Sequence, residues 1–299
     1  MKIRYSSCII CGSTNIHNAL SAQDHTVSDE IFEIWECNDC TLRFTQNIED
    51  QESIGRYYNS ENYISHSDTK KGLINSLYHK VRGKTLNSKY KLIENTTNKQ
   101  SGKLLDVGAG TGAFLNVMKG HNWEVTGLEP DKNAREKAKN IYGIELQSNE
   151  NLYNLRENHF DAITLWHVLE HVHTLNEYVI KLKALINKEG KIFIAVPNYT
   201  SYDANVYMEN WAAYDVPRHL YHFSPKSMKI LMNKHGLIIE KMIPMWYDSF
   251  YVSMLSEQYK TGKNNYLRAV MTGISSNCKA LVNAELGSSI IYIISKRSV

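Results

Sequence analysis

The stretch Lys103–Phe114, KLLDVGAGTGAF, restricts what this chain can fold into more than any other. Leu104, Leu105 and Val107 read as a short buried strand that delivers Asp106 and then three alternate glycines, Gly108, Gly110 and Gly112. A helix is predicted to start at about Ala113 and to run through FLNVMKG. Glycine tolerates positive φ and has no Cβ to hold off a ligand. The start of the next helix offers unpaired N–H groups and a positive dipole end, which suit a carboxylate or a phosphate. The stretch is therefore a small-molecule binding turn, and it needs a parallel sheet around it.

The rest of the chain supplies one. WEVTGLE (123–129), IELQ (144–147), FDAITLW (160–166) and KIFIAVP (191–197) read as strands separated by helical or polar stretches. The helix after the second strand opens at Asp131 and ends at Gly143. LIIEKMIPM (237–245) and SSIIYIISK (288–296) predict a closing antiparallel pair around a helical insertion at 246–286. Open α/β sheets bind ligands at the carboxyl ends of their strands. That rule gathers Gly108, Ala109, Gly110, Gly112, Glu129, Pro130, Trp166, His167 and the segment after Pro197 about one crevice.

The glycine spacing alone leaves two ligands open. Gly108, Gly110 and Ala113 satisfy the G-x-G-x-x-G/A dinucleotide fingerprint, with Glu129 roughly 20 residues on. Asp106 departs from it, because a dinucleotide strand is usually apolar at that place. The D-x-G-x-G-x-G arrangement followed by Glu-Pro-Asp (129–131) resembles the class I S-adenosylmethionine (SAM) methyltransferases. The resemblance covers 103–245 well and 246–299 in outline, and it is strongest to the group of ubiquinone-biosynthesis O-methyltransferases and uncharacterised bacterial enzymes. It implies an α/β, Rossmann-like seven-stranded sheet with an antiparallel last strand and helices on both faces. It also implies SAM as cofactor. Gly108, Ala109, Gly110 and Gly112 would line its methionine part, Asp106 its amino group, Glu129 and Pro130 its ribose, and Trp166 and His167 its methionine end. Asn149 or Glu150 stands where that family contacts adenine.

Four of the five cysteines form two pairs, Cys8-x2-Cys11 and Cys37-x2-Cys40, 25 residues apart. Two such knuckles complete a tetrahedral four-thiolate zinc site. Four thiolates leave no position for water, so the expected zinc is structural. Residues 1–48 are read as a zinc ribbon and 49–100 as a helical cap or linker. Residues 101–299 are read as the SAM-binding domain, with inserts at 198–223 and 246–286. The linker carries Tyr57, Tyr58 and Tyr63, then a predicted helix over Leu73–Thr97 with a break at Gly83, and the same stretch carries Lys70, Lys71, Lys80, Arg82, Lys84, Lys89 and Lys91.

WHVLEHVHTLNEYV (166–179) and DVPRHLYHF (215–223) carry five of the chain's 12 histidines, of which His167, His171, His219 and His222 are expected to converge on the strand ends. If the first segment is helical, His167, Glu170 and His171 share a face. His167, His171 and His219 are the candidate catalytic residues, either as packed rim residues or as a base for an acceptor hydroxyl. An E-x-x-E-H element binds a divalent ion in small-RNA 2′-O-methyltransferases. Here His167 replaces the first glutamate, so a second metal at Glu170, His171 and His219 or His222 would be a transition metal rather than magnesium.

The expected function is a SAM-dependent methyltransferase acting on the oxygen or carbon of a small or carrier-linked metabolite, for example a glycan precursor. Lys and Arg total 34 against 31 Asp and Glu, a near-neutral balance that argues against nucleic acid as the whole chain's partner. RNA gripped by the ribbon and the basic helix stays as an alternative, as does a non-catalytic SAM-binding adaptor. The N-terminus shows no signal-peptide core and no segment has the length of a membrane span, so a cytoplasmic location is expected.

Overall fold

The computed structural model describes residues 2–58, 73–263 and 265–297, and of 73–82 the backbone alone. Tyr63, Lys70 and Lys71, and the side chains of Lys80 and Arg82, lie outside the described residues. The chain divides into two compact units, Met1–Tyr63 with His167–Val179 and Ile194–Val299, and Ile64–Trp166 with Ile180–Phe193.

At the start of the first unit, β1 (Lys2–Ile3) pairs with β5 (Ile48–Glu49). Between them β2 (Ile16–Gln23), β3 (Ile31–Cys37) and β4 (Arg43–Thr45) form an antiparallel meander. Each cysteine pair sits in a tight turn closed by one residue with positive φ, Gly12 after Cys11 and Thr41 after Cys40. The Gly12 amide donates to the Cys8 carbonyl and the Thr41 amide to the Cys37 carbonyl, both at 2.8 Å.

In the second unit α1 (Leu73–Thr97) leads to β6 (Lys103–Val107), and the binding turn follows. Then come α2 (Ala113–Gly120), β7 (Glu124–Leu128), α3 (Lys132–Tyr142) and β8 (Phe160–Trp166). α3 starts and stops as its sequence predicts. The Asp131 side chain accepts from the Asn133 amide, and Gly143 takes the left-handed C-cap conformation. Strand β6 lies parallel to β7 on one side and to β8 on the other. Leu104, Leu105, Val107, Leu128, Ala162, Ile163 and Leu165 are fully buried, the near-continuous apolar strands of a sheet covered on both faces.

The chain continues through α4 (Leu175–Leu185) to β9 (Ile186–Pro197), the strand that both units share. The remaining elements are α5 (Tyr202–Tyr207), β10 (Tyr221–His222), α6 (Pro225–Lys234), β11 (Leu237–Pro244), α7 (Asp248–Thr261), α8 (Tyr266–Val282) and β12 (Ser289–Lys296). The main sheet has the order β11-β12-β9-β8-β6-β7, with β11 antiparallel to β12. It is the Rossmann-like α/β sheet with six strands instead of seven among the described residues. The missing one is IELQ. The Ile144 amide is taken by the carbonyl of Ala138 at the end of α3, and a 3-10 turn begins at Asn149. Only Gln147 is left to bridge, to Leu128.

The cysteine ribbon recruits a strand from far along the chain. Two-residue β10 pairs with β4, Tyr221 opposite Phe44 and His222 opposite Arg43, giving the order β10-β4-β3-β2. Arg218, just before it, is buried and its Nη2 lies 2.9 Å from Asp24 Oδ1 and 2.6 Å from Asp215 Oδ1. Removing one partner of such a buried pair typically costs about 3–5 kcal/mol, so this pairing fixes the 215–222 segment against the ribbon.

Candidate active site

The binding turn is held against the carboxyl end of β7. The amides of Gly108 and Ala109 donate to the Leu128 carbonyl at 2.8 and 2.9 Å. Gly108, Gly110 and Gly112 all have positive φ, of 72°, 54° and 78°. Two of them serve different ends. A Cβ on Gly112 would stand 3.1 Å from the Ala138 Cβ, so this glycine lets α2 approach α3. A Cβ on Gly110 would meet nothing within 4 Å, which leaves its face open to a ligand.

Glu129 is buried and braces that turn. One carboxylate oxygen accepts from the Gly110 amide at 2.8 Å and the other from the Asp131 amide at 3.0 Å. A carboxylate oxygen carries two lone pairs, so accepting one amide does not by itself exclude a diol. Pro130 is exposed, and its carbonyl accepts from Arg135 at 2.7 Å. Asp106 is buried and accepts from the Thr164 hydroxyl at 2.6 Å. Burial pushes its carboxyl up to about 7, with Thr164 and the charge of Lys89 opposing. Lys89 Nζ lies 4.1 Å from the centre of the Trp166 ring, whose other contact is an edge-on Phe114. Trp166 Nε1 and Asn149 Oδ1 are among the buried polar atoms that have no hydrogen-bond partner among the described residues. Glu150 is exposed.

The histidines collect in the other unit. Residues 169–171 form a 3-10 turn and α4 begins only at Leu175, so His167, Glu170 and His171 are not on one helix face. His167 instead adopts φ 57°, with its amide donating to the Ala195 carbonyl at 3.0 Å. Its ring lies between two carboxylates, Nε2 3.0 Å from Asp248 and Nδ1 3.4 Å from Glu170. Burial alone would lower its pKa. The two carboxylates reverse this and hold it at about 10, so His167 is a fixed cation near neutral pH.

His171 has the opposite character. Burial and the neighbouring His219 push it down to about 4. Its Nδ1 lies 3.0 Å from both the Tyr58 hydroxyl and the Arg218 carbonyl. His219 Nδ1 lies 2.9 Å from the Ala213 carbonyl. With Nδ1–H donated to a carbonyl, each ring keeps a bare Nε2 lone pair. His219 Nε2 lies 4.0 Å from Glu170 and 3.9 Å from Asp215, and the two rings meet edge to face at 4.6 Å. Glu170 is fully buried, and neither carboxylate oxygen has a hydrogen bond of normal geometry. His222 is not part of this group. It lies in the ribbon sheet with Nε2 3.1 Å from the Thr45 hydroxyl.

Two sets of residues can hold a metal among the described residues, Cys8, Cys11, Cys37 and Cys40, and Glu170, His171 and His219. The first fits zinc. Thiolates at about 2.3 Å from a tetrahedral zinc stand about 3.8 Å apart, and here Cys8–Cys40 and Cys11–Cys37 are separated by 3.3 and 3.6 Å. A disulfide would need about 2.05 Å. The second set has the donor chemistry of a transition-metal site, two imidazoles and a carboxylate.

Sequence reasoning missed three participants. Asp248 is 81 positions from His167 in a segment with no recognisable motif. Lys89 counted only as one charge of a basic helix. Tyr58 stood in an aromatic run without an assigned partner.

A family model described as a methyltransferase domain matches residues 78–241, just over half of the chain. Over 181 residues the chain is 24% identical to the mitochondrial ubiquinone biosynthesis O-methyltransferase of Rattus norvegicus, covering 53% of this chain and 52% of that protein. The match thus spans about half the length of this curated relative. Among solved structures the fold is similar to phosphoethanolamine N-methyltransferase 2 of Haemonchus contortus in complex with SAM. The TM-score is 0.50 at 13% identity, over 71% of this chain and 53% of that one. A SAM-dependent methyltransferase from Archaeoglobus fulgidus gives a TM-score of 0.47 at 18% identity, over 73% of this chain and 94% of that one. Among the described residues no helix is long and apolar enough to cross a membrane.

Proposed function

We propose that this chain, which belongs to the methyltransferase-domain family, is a SAM-dependent methyltransferase that methylates a hydroxyl or an acidic carbon on a small or carrier-linked metabolite. The observation that carries the acceptor chemistry is the buried Glu170 carboxylate facing the Nε2 side of His219.

On the donor side, Asp106 receives the ligand's ammonium group and Glu129 its ribose diol. Gly108, Ala109 and Gly110 let the backbone approach the methionine part. Asn149, with its unpartnered oxygen, is the residue for the adenine amine rather than Glu150. SAM supplies an electrophilic methyl group. The acceptor's oxygen or carbon forms the new bond to it while the bond to sulfur breaks, and one proton must leave the acceptor.

His219 takes that proton at Nε2, and the carboxylates of Glu170 and Asp215 stabilise the resulting imidazolium. His167, already charged, orients Glu170 instead of acting as a base. His171 stays neutral and is aligned by Tyr58. The four cysteines hold a structural zinc that fixes the ribbon, and β10 with it.

A second reading is favoured by the same buried carboxylate. Glu170, His171 and His219 would hold a divalent transition metal, and its chemistry would be to acidify an acceptor hydroxyl as a Lewis acid. RNA gains no such support, since Lys89 of the basic helix is engaged over Trp166.

Transfer of labelled methyl from SAM to a panel of hydroxylated aromatics, nucleotide-linked sugars and short RNAs tests the proposal. Label on a small acceptor, lost in His219→Ala while SAM binding persists, supports it. Label confined to RNA, with binding that collapses as salt rises, would overturn it.

A further inference from the structure

α8 is packed on one side and carries large apolar residues on the other. Its inner face is made of small residues, with Ala269, Thr272, Gly273, Ser276 and Ala280 all buried. A Cβ on Gly273 would stand 2.6 Å from the Phe250 ring of α7, so the helix is seated closely on its own unit. Its outer face carries the large residues. Leu267 is 74% exposed, Met271 61%, Ile274 50% and Leu281 73%. A contiguous row of large exposed apolar side chains marks an interaction surface, and among the described residues only the inner side of α8 is covered.

The outer residues are also regularly spaced. Leu267, Met271, Ile274, Cys278 and Leu281 alternate by four and three, the d-a-d-a-d seam of a helix pair. Tyr266, Val270 and Val282 flank the seam and are exposed as well. At roughly 100 Å² apiece the seven large apolar side chains present on the order of 700 Å², close to the ~800 Å² that each partner gives to a standard-size interface.

We infer that this seam is where two copies of the chain associate, α8 against α8 about a two-fold axis. The seam is self-complementary. An axis through Ile274 places Leu267 of one copy against the partner's Leu281, and the reverse, as an isologous contact requires. Of the positions beside it, Val270, Ser275, Asn277 and Val282 are uncharged and Arg268 is paired with Glu257, so two copies meet without repulsion. A membrane surface fits worse, since an interfacial helix needs free Lys and Arg to grip headgroups. The two cations of α8 are occupied, Arg268 by Glu257 at 3.1 Å and Lys279 over the Tyr202 ring at 5.2 Å.

Sedimentation velocity on the full chain over a dilution series tests this, with Ile274→Glu and Met271→Glu beside it. The expected result is a dimer that becomes monomeric in both variants, with their thermal midpoints unchanged. A second readout needs no variant. Alkylation of Cys278, followed by peptide mass, should be slow in concentrated protein and at least tenfold faster once the dimer is diluted apart. A wild-type chain that stays monomeric at high concentration overturns the inference, as does a dimer that survives both substitutions. A monomer that co-sediments with phosphatidylglycerol vesicles overturns it in favour of a lipid surface.

Discussion

The side chain of Glu129 accepts a hydrogen bond from the Gly110 amide at 2.8 Å, so the residue proposed to receive the ribose also holds the shape of the turn that receives the methionine. Glu129→Ala removes both functions. A hydrogen bond to a charged group is worth about 1.5–3 kcal/mol, or roughly a tenfold to hundredfold change in affinity. SAM binding measured by calorimetry should therefore weaken at least tenfold in Glu129→Ala. Glu129→Gln keeps one acceptor oxygen for Gly110 and should fall between the two. Undiminished affinity in the alanine variant would remove the cofactor assignment.

Asp106 gives SAM binding a pH dependence. Its carboxyl, raised to about 7 by burial, is largely neutral in the free protein below that pH. An ammonium ligand favours the ionised form, so affinity should rise roughly tenfold per pH unit up to about 7. It should fall again above about 8, where an α-amino group loses its proton. Stability of the free protein runs the other way. A carboxyl raised above its ordinary 3.8 is fully stabilising below that value, and the contribution is lost as pH rises through the folded value of about 7. Asp106→Asn should flatten the acid limb of the binding curve. Lys89→Met, which removes the cation that opposes the shift, should move that limb to higher pH.

The ribbon predicts a separable defect. Metal analysis should find one zinc per chain held by Cys8, Cys11, Cys37 and Cys40, and Cys37→Ser should lose it. Because β10 pairs with β4, loosening the ribbon releases the segment that carries Arg218 and His219. Methyl transfer should then fall at least tenfold while SAM binding, built on residues 106–129, is retained. Equal loss of both would show that the ribbon supports the whole protein rather than the acceptor chemistry alone.

What the sequence made legible was local. The turn, the start of α2 at Ala113, the cap of α3 at Asp131 and the span of α1 over Leu73–Thr97 rest on residues a few positions apart, and they lie where pattern puts them. The histidine segment was misread because a long-range bond decides it. The Leu220 amide donates to the Glu170 carbonyl at 2.8 Å, which holds 169–171 in a 3-10 turn instead of letting a helix start. The same holds for Asp248, whose approach to His167 no spacing rule announces. The charges of His167 and His171 also depend on distant partners. Residue type placed three candidate bases together, and only packing separated a cation, a neutral ring and a ring flanked by carboxylates.

Glu170 is the residue on which the two acceptor mechanisms part. In both, Glu170→Ala should lower turnover by a hundredfold or more, within the range usual for lost general acid–base catalysis, with SAM affinity unchanged. They differ in composition. If His219 accepts the proton directly, purified Glu170→Ala retains the metal content of the wild type, one zinc per chain, and that is the expected result. Loss of one metal equivalent on substitution, together with wild-type activity restored to chelated protein by manganese or iron but not by zinc, would instead place a metal among Glu170, His171 and His219. Glu170→Asp sharpens the comparison, because a carboxylate withdrawn by one methylene still attracts an imidazolium but sits too short for ligands already fixed through Nδ1. Substantial activity in the aspartate variant therefore speaks for the proton acceptor, and its loss for the metal.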